Sequence, residues 1–163
     1  MSGTGVADDK SVYAYVPDMI RYYMGEEPLL PNVETHICRR PEGLEYTLDN
    51  LENLVVKRVG ESGGYGMLMG PHATPEERQA YAAELRKDPA DFISQPVLQL
   101  SRAPCMIDGQ AAARHVDLRP FVLRGHKTRI VPGAFCRVAL REGSLVVNSS
   151  QGGGGKDIWV LED

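Results

Sequence analysis

The sequence predicts an α+β fold built on antiparallel sheet. Three observations lead there. Apolar residues near the N-terminus recur at helical spacing, as in Val12, Val16, Met19, Ile20 and Tyr23. A strand, a glycine-rich turn and a second apolar run then precede a sharply capped helix. From Ile93 onward apolar and polar residues alternate between turn signals with no helical period. Helices followed by a run of strands give the α+β order, not the βαβ repeat of a doubly wound parallel sheet.

In chain order, Asp8 and Asp9 suit the cap of a helix beginning near Lys10. Pro17 either kinks that helix or starts a second one at its first turn, and Gly25 is the stop. The tyrosines Tyr13, Tyr15, Tyr22 and Tyr23 read as packing residues. Pro28 and Pro31 break the chain into loop, and Thr35–Arg39 suits a short strand. Glu42–Asn53 reads as a helix with Leu44, Leu48 and Leu51 on one face. Thr74-Pro75-Glu76-Glu77 is a strong helix start, with Thr as cap, Pro in the first turn and Glu three residues on, and the helix should run to Lys87. Ile93–Leu100, Arg114–Leu123, Arg129–Leu140 and Ser144–Asn148 read as strands. Asp108-Gly109 and Glu142-Gly143 are turn signals, Gly152–Gly155 a flexible loop and Ile158–Leu161 a short apolar tail.

Composition narrows the function classes. The 163 residues are 42% hydrophobic and 25% charged, enough for one domain with a core or two small lobes. A net charge of −4 gives no general affinity for nucleic acid or anionic membrane, so a basic site must be local. Three widely spaced cysteines without CxxC, and four histidines without ligand spacing, argue for reduced thiols and no zinc site. The expected compartment is the cytoplasm: no apolar run spans a bilayer and no signal-peptide core follows the start.

Three clusters carry possible chemistry. The first is Leu54–Gly70. Lys57 stands on an apolar strand, and Ser62, Gly63, Gly64, Tyr65 and Gly66 form the turn after it. A lysine brings a point charge, and glycines let backbone N–H groups approach anionic oxygens closely. The same pattern is also an ordinary structural hairpin. It is neither a Walker A loop nor a Rossmann fingerprint. The second cluster is the alternating stretch His115–Val122, which puts Asp117 and Arg119 on one face. Such a pair is either an exposed ion pair or a ribose acceptor beside a phosphate grip. The third is Arg137 with Asn148 and the glycine run ending at Lys156.

Together these segments resemble the ATP-grasp superfamily of ATP-dependent carboxylate–amine ligases, and more closely the circularly permuted ATP-grasp proteins of bacteria. The resemblance rests on VADDKSVYAYVPDMIRYYMGEEPLLPNVET, VVKRVGESGGYGMLMGP, HVDLRPFV and SLVVNSSQGGGGKDIWVL, and it covers about Gly3 to Leu161. It implies that Lys57 contacts nucleotide phosphates and that Ser62–Gly66 folds over them. Gln95, Pro96 and Val97 would be the hinge at the adenine edge, and Asp117 would lie near the ribose. Arg119, Arg137 and Asn148 would surround the γ-phosphate and the acyl-phosphate made from it. The implied cofactors are ATP and Mg²⁺. The implied partners are a carboxylate and an amine substrate, with no nucleic acid and no membrane.

One departure is large. The family's metal-binding Glu-x-Asn is absent, because Val146 stands two residues before Asn148 and no carboxylate lies between Ser144 and Gln151. The chain therefore carries no metal ligands of its own by this reading, and the metal carboxylates belong to sequence outside it. The expectation is a single partial ATP-grasp domain over 1–163, an incomplete fold. Residues 1–53 would be a helical lead-in, 54–92 the phosphate-binding hairpin lobe and 93–163 the antiparallel sheet lobe. Its function would be the ATP-binding portion of a ligase, inactive alone. The alternative is a non-catalytic nucleotide- or partner-binding module completed by another chain. Apolar surface left uncovered would favour self-association.

Overall fold

The computed structural model describes residues 4–61, 66–147 and 153–160. The chain divides into two compact units, Met1–Val97 and Leu98–Asp163. Both are built around antiparallel sheet, and among the described residues helices occur only in the first, so the class is α+β. Neither sheet closes into a barrel.

The first unit begins with a short helix α1 (Thr4–Asp8), a 3₁₀ turn (Val12–Tyr15) and α2 (Val16–Met24). The Asp9 carboxylate accepts from the Ser11 amide at 2.7 Å, which turns the chain at Lys10 and starts a 3₁₀ turn where the sequence predicts a helix beginning near Lys10. Pro17 sits in the first turn of α2, and Gly25 ends it in the left-handed region at φ 65°. The apolar face expected to be core is not buried: no residue of α2 is, and Tyr22 and Tyr23 are exposed. Tyr13 and Tyr15 instead serve as polar ties. The Val33 amide donates to the Tyr13 hydroxyl at 2.9 Å and Arg40 to the Tyr15 hydroxyl at 3.2 Å.

Strand β1 (His36–Ile37), helix α3 (Pro41–Asp49), β2 (Leu54–Arg58), β3 (Leu68–Met69), α4 (Pro75–Lys87) and β4 (Phe92–Pro96) complete the unit. The strands lie in the order β1-β4-β2-β3, all antiparallel. Alternation sends Val56, Leu68 and Phe92 into a core cluster with Cys38, Leu51, Ala82 and Leu85. Leu44 and Leu48 pack against it, as their spacing predicts. Thr47, fully buried, donates to the Gly43 carbonyl at 2.7 Å and shares a 2.7 Å hydrogen bond with Ser94, so its hydroxyl is satisfied. Helix α4 carries the full capping box: Glu77 N–H to the Thr74 hydroxyl, and Thr74 N–H to the Glu77 carboxylate.

Gly70 shows why this part of the chain needs a glycine. A Cβ there would fall 1.7 Å from the Leu51 carbonyl oxygen and 2.8 Å from that of Leu54. Both obstacles are backbone and cannot swing aside. Gly70→Ala is therefore expected to destabilise the chain by about 2 kcal/mol, the middle of the range for overpacking. Urea unfolding of the two proteins measures this directly; equal midpoints would refute it.

The second unit is one antiparallel sheet in the order β5-β6-β7-β8, formed by Arg102–Ile107, Gln110–Arg124, Thr128–Val138 and Gly154–Ile158. Asp108 and Gly109 take φ of 49° and 77°, the pair of positive values that a two-residue type I′ hairpin requires. That hairpin extends β6 back to Gln110 and adds β5, a strand beyond those expected. The register of β6 on β7 shifts between the Pro120–Ala134 and Val122–Ile130 pairs. Pro120 and Pro132 supply no N–H there, so an unbroken ladder is not possible. Two expectations fail near the C-terminus. Residues 144–147 form no strand, and Gly154–Gly155 are not loop but the start of β8. A Cβ on Gly155 would meet the Phe135 ring at 2.9 Å and one on Gly154 the Leu140 side chain at 3.1 Å. These two glycines are strand residues with side chains lying over them.

Candidate functional site

The first unit's sheet presents its second face through Ile37, Val55, Lys57, Met69, Ile93 and Gln95, by alternation and register. Ile37, Val55 and Ile93 are buried and Lys57 is half-buried. Lys57 Nζ donates to Gln95 Oε1 at 2.7 Å, and Gln95 Nε2 donates to Thr35 Oγ1 at 2.8 Å. Among the described residues no carboxylate lies within ion-pair distance of Lys57. Burial pushes its amine below the ordinary value near 10.5, and the neighbouring charge of Lys10 pushes the same way.

Lys10 is a candidate site residue that the sequence alone does not point to. Its backbone N–H reaches the Val59 carbonyl at 3.3 Å, and its ammonium donates to Val59 O at 3.2 Å and also to Glu61 O. Lys10 thus grips the entry of the glycine turn. The exit is held by Tyr81 of α4, whose hydroxyl donates to the Gly66 carbonyl. Burial raises that phenol to about 12, so it remains a donor across the neutral range. Gly66 itself takes φ 61°. Arg58, next to Lys57 but on the opposite face, is structural. It pairs with Glu84 at 2.7 Å and with Asp91, and lies 4.7 Å above the Phe92 ring. The turn residues Ser62, Gly63, Gly64 and Tyr65 lie outside the described residues.

Pro96 ends β4 opposite Leu54, and Val97 is the last residue of the unit. In the second unit, Arg119 holds Asp117 by two contacts to one oxygen, from Nε at 2.9 Å and Nη2 at 2.8 Å. The other oxygen of Asp117 accepts from the Arg137 backbone N–H at 2.9 Å. Asp117 and Arg137 are register partners on β6 and β7. The structure thus gathers Asp117, Arg119 and Arg137 on one face, as alternation predicts, and gathers Lys57 with Gln95 separately. Asn148 lies outside the described residues.

No three His, Cys, Asp or Glu side chains among the described residues converge on a point where a metal ion could sit. The three thiols are free, with Cys38 and Cys136 buried. Burial raises both of these thiols above the usual range, which keeps them protonated and unreactive. No helix among the described residues is long and apolar enough to cross a membrane.

Among the described residues the fold and site define a class: an α+β protein with two antiparallel four-stranded sheets, Lys57 standing on the first and Lys10 held against the chain just after that strand. The family model described as circularly permuted ATP-grasp type 2 matches residues 1–139. The chain belongs to that family. It is 61% identical over 161 residues to an uncharacterised Synechocystis protein, covering 98% of this chain and 34% of the relative. An uncharacterised Mycobacterium tuberculosis protein is 52% identical over 160 residues, covering 98% of this chain and 29% of the relative. A Frankia casuarinae protein provisionally named glutamate–cysteine ligase 2-2 is 49% identical over 158 residues, 97% of this chain and 18% of the relative. The chain thus spans about a third or less of the length of these relatives.

Proposed function

We propose that this chain is the ATP-binding portion of an ATP-dependent carboxylate–amine ligase that works through an acyl-phosphate. The observation that carries the reading is Lys57. It is half-buried and held by a neutral amide, with Lys10 beside it and no carboxylate among the described residues neutralising it. Two ammonium groups beside a glycine turn suit a polyphosphate, whose oxygens gain from both charge and close backbone approach. Family membership and the name of the Frankia relative support ligase chemistry.

In that reaction a substrate carboxylate attacks the γ-phosphorus, ADP leaves, and an amine then displaces phosphate from the acyl-phosphate. Charge develops on the non-bridging oxygens, so fixed cations are what the protein must supply. Lys57 and Lys10 supply them in the first unit. Arg119 and Arg137 are the equivalents in the second, with Asp117 as the acceptor for a ribose hydroxyl and Gln95–Val97 along the adenine edge. ATP-grasp chemistry uses Mg²⁺, but the described residues offer no set of carboxylates that fits it. The role of Asn148 and the closing role of Ser62–Gly66 complete the proposal.

Two measurements test it. Calorimetric titration of the chain with ATP should show saturable binding, and no heat would overturn the nucleotide reading. Incubation with ATP, glutamate and cysteine should release little or no phosphate, because the described residues offer no set of metal donors. Steady release that depends on both amino acids would show that the chain's own donor set is sufficient.

A further inference from the structure

We propose that this chain associates head to tail with further copies of itself, the β6–β7 hairpin of one copy docking on the acidic, apolar segment 18–34 of the next. Charge is divided unevenly along the chain. Residues 1–97 carry nine Lys and Arg against sixteen Asp and Glu, whereas residues 98–163 carry nine against six. The basic excess is concentrated in the hairpin. Between Asp117 and Glu142 there is no acidic residue, and Arg119, Arg124, Lys127, Arg129, Arg137 and Arg141 fall there.

The hairpin is also apolar and uncovered. Val122, Leu123 and Ile130 are 56–68% exposed, and Phe121 is half exposed. Leu123, Arg124, His126, Lys127 and Arg129 line a cavity of about 530 Å³ at its tip. Every polar side chain around that cavity is basic, so it accepts an acidic group and rejects a basic one. At the tip Arg124 donates a 2.8 Å hydrogen bond to the Thr128 hydroxyl.

The complementary surface lies on the same chain. Tyr22, Tyr23, Leu29 and Leu30 are 78–95% exposed, and Asp18, Glu26, Glu27 and Glu34 are interleaved with them. Arg21 is the lone base in that stretch, already tied to Asp18 and Glu27 at 3.0 Å. An apolar ribbon with a cationic tip therefore meets an apolar patch with an anionic rim. Opposite potentials fix the register and speed encounter, while the apolar stems gain by leaving water. A bilayer is a poorer occupant, because the cations at the tip would enter first and the apolar stem last. Nucleic acid would leave the stem uncovered. Because the two surfaces differ, the contact is heterologous and does not close by a two-fold axis. The inference does not depend on the nucleotide reading.

Sedimentation equilibrium of the whole chain tests it. At low salt the average mass should rise with concentration beyond that of a dimer. Near 1 M salt, where the screening length is about 3 Å, it should fall toward the monomer. Two charge-reversed proteins make the test specific. Arg124→Glu/Lys127→Glu/Arg129→Glu places like charges together at the contact, and so does Glu26→Lys/Glu27→Lys. Each alone should weaken association by at least about 100-fold, given the cost of like charges at an interface. Mixed together they should associate again, since each reversed surface now matches the other protein. Circular dichroism confirms that both variants are folded. A wild-type chain that stays monomeric at low salt overturns the proposal, including one that instead binds anionic vesicles. So does association that the reversals leave unchanged, or a mixture that fails to restore it.

Discussion

On the ligase reading proposed above, replacing Arg119 by lysine is expected to lower turnover by about 10²–10³-fold when the chain is joined to the remaining sequence of its longer relatives, the loss typical of one transition-state donor. Lysine keeps the charge but loses the planar fork that can hold two oxygens at once. In the structure two guanidinium nitrogens already converge on Asp117 at 2.8 and 2.9 Å, so the fork is pre-aimed along the strand. Arg119 is 43% exposed and Asp117 20%, and a partly exposed i,i+2 pair in which lysine keeps the charge changes folding little. The melting temperature should hardly move. A variant with intact turnover and a lowered melting temperature would make Arg119 a structural residue, contrary to the proposal. Single-turnover phosphate release together with thermal unfolding separates the two.

Lys57→Ala should weaken ATP binding by about 1–3 kcal/mol, the range for losing a charged hydrogen bond, or roughly tenfold to hundredfold. Titration calorimetry of both proteins measures it, and equal affinities would remove Lys57 from the site. The pH dependence has a defined sign. The folded-state amine loses its proton below the ordinary value near 10.5. The charged form thus carries a folding cost at neutral pH, and that cost is relieved as pH rises through the depressed value toward 10.5. Over the same window the wild-type affinity for ATP should fall, because the neutral amine no longer attracts phosphate. Apo stability and nucleotide affinity therefore move in opposite directions in the alkaline range. An affinity that stays flat up to 10.5 would contradict the burial of this lysine at the site.

Local signals were legible in the sequence, and contacts across the fold were not. The Thr74 capping box, the Gly25 stop and the Lys57 strand depend on neighbours in sequence, and each is found where the pattern put it. The shared face of Asp117 and Arg119 follows from the two-residue repeat of a strand. Lys10 was missed because Asp-Asp-Lys reads locally as a helix start. Its role appears only when the chain turns at Ser11 and lays it against Val59 and Glu61. The apolar face of α2 was misread as core because periodicity shows that one face is apolar, not that anything covers it. Gly154 and Gly155 were read as loop from their backbone freedom. Their place in β8 is set by Phe135 and Leu140, residues distant in sequence that leave no space for a Cβ.

The Lys57–Gln95–Thr35 contacts run from β2 across β4 to Thr35, the residue just before β1. An ammonium can only donate, so it turns the Gln95 carbonyl toward itself and the amide nitrogen toward Thr35. Thr35 must then accept, which leaves its hydroxyl proton for the Val33 carbonyl, 2.9 Å away. One positive charge thereby gives the whole chain of dipoles a single polarity. If an anion drew the ammonium off, as the proposed function requires, that polarity would lose its source and Gln95 would be free to reverse. The amide protons of Gln95 thus form a built-in reporter, 60 residues along the chain from Thr35, of whether Lys57 is engaged elsewhere.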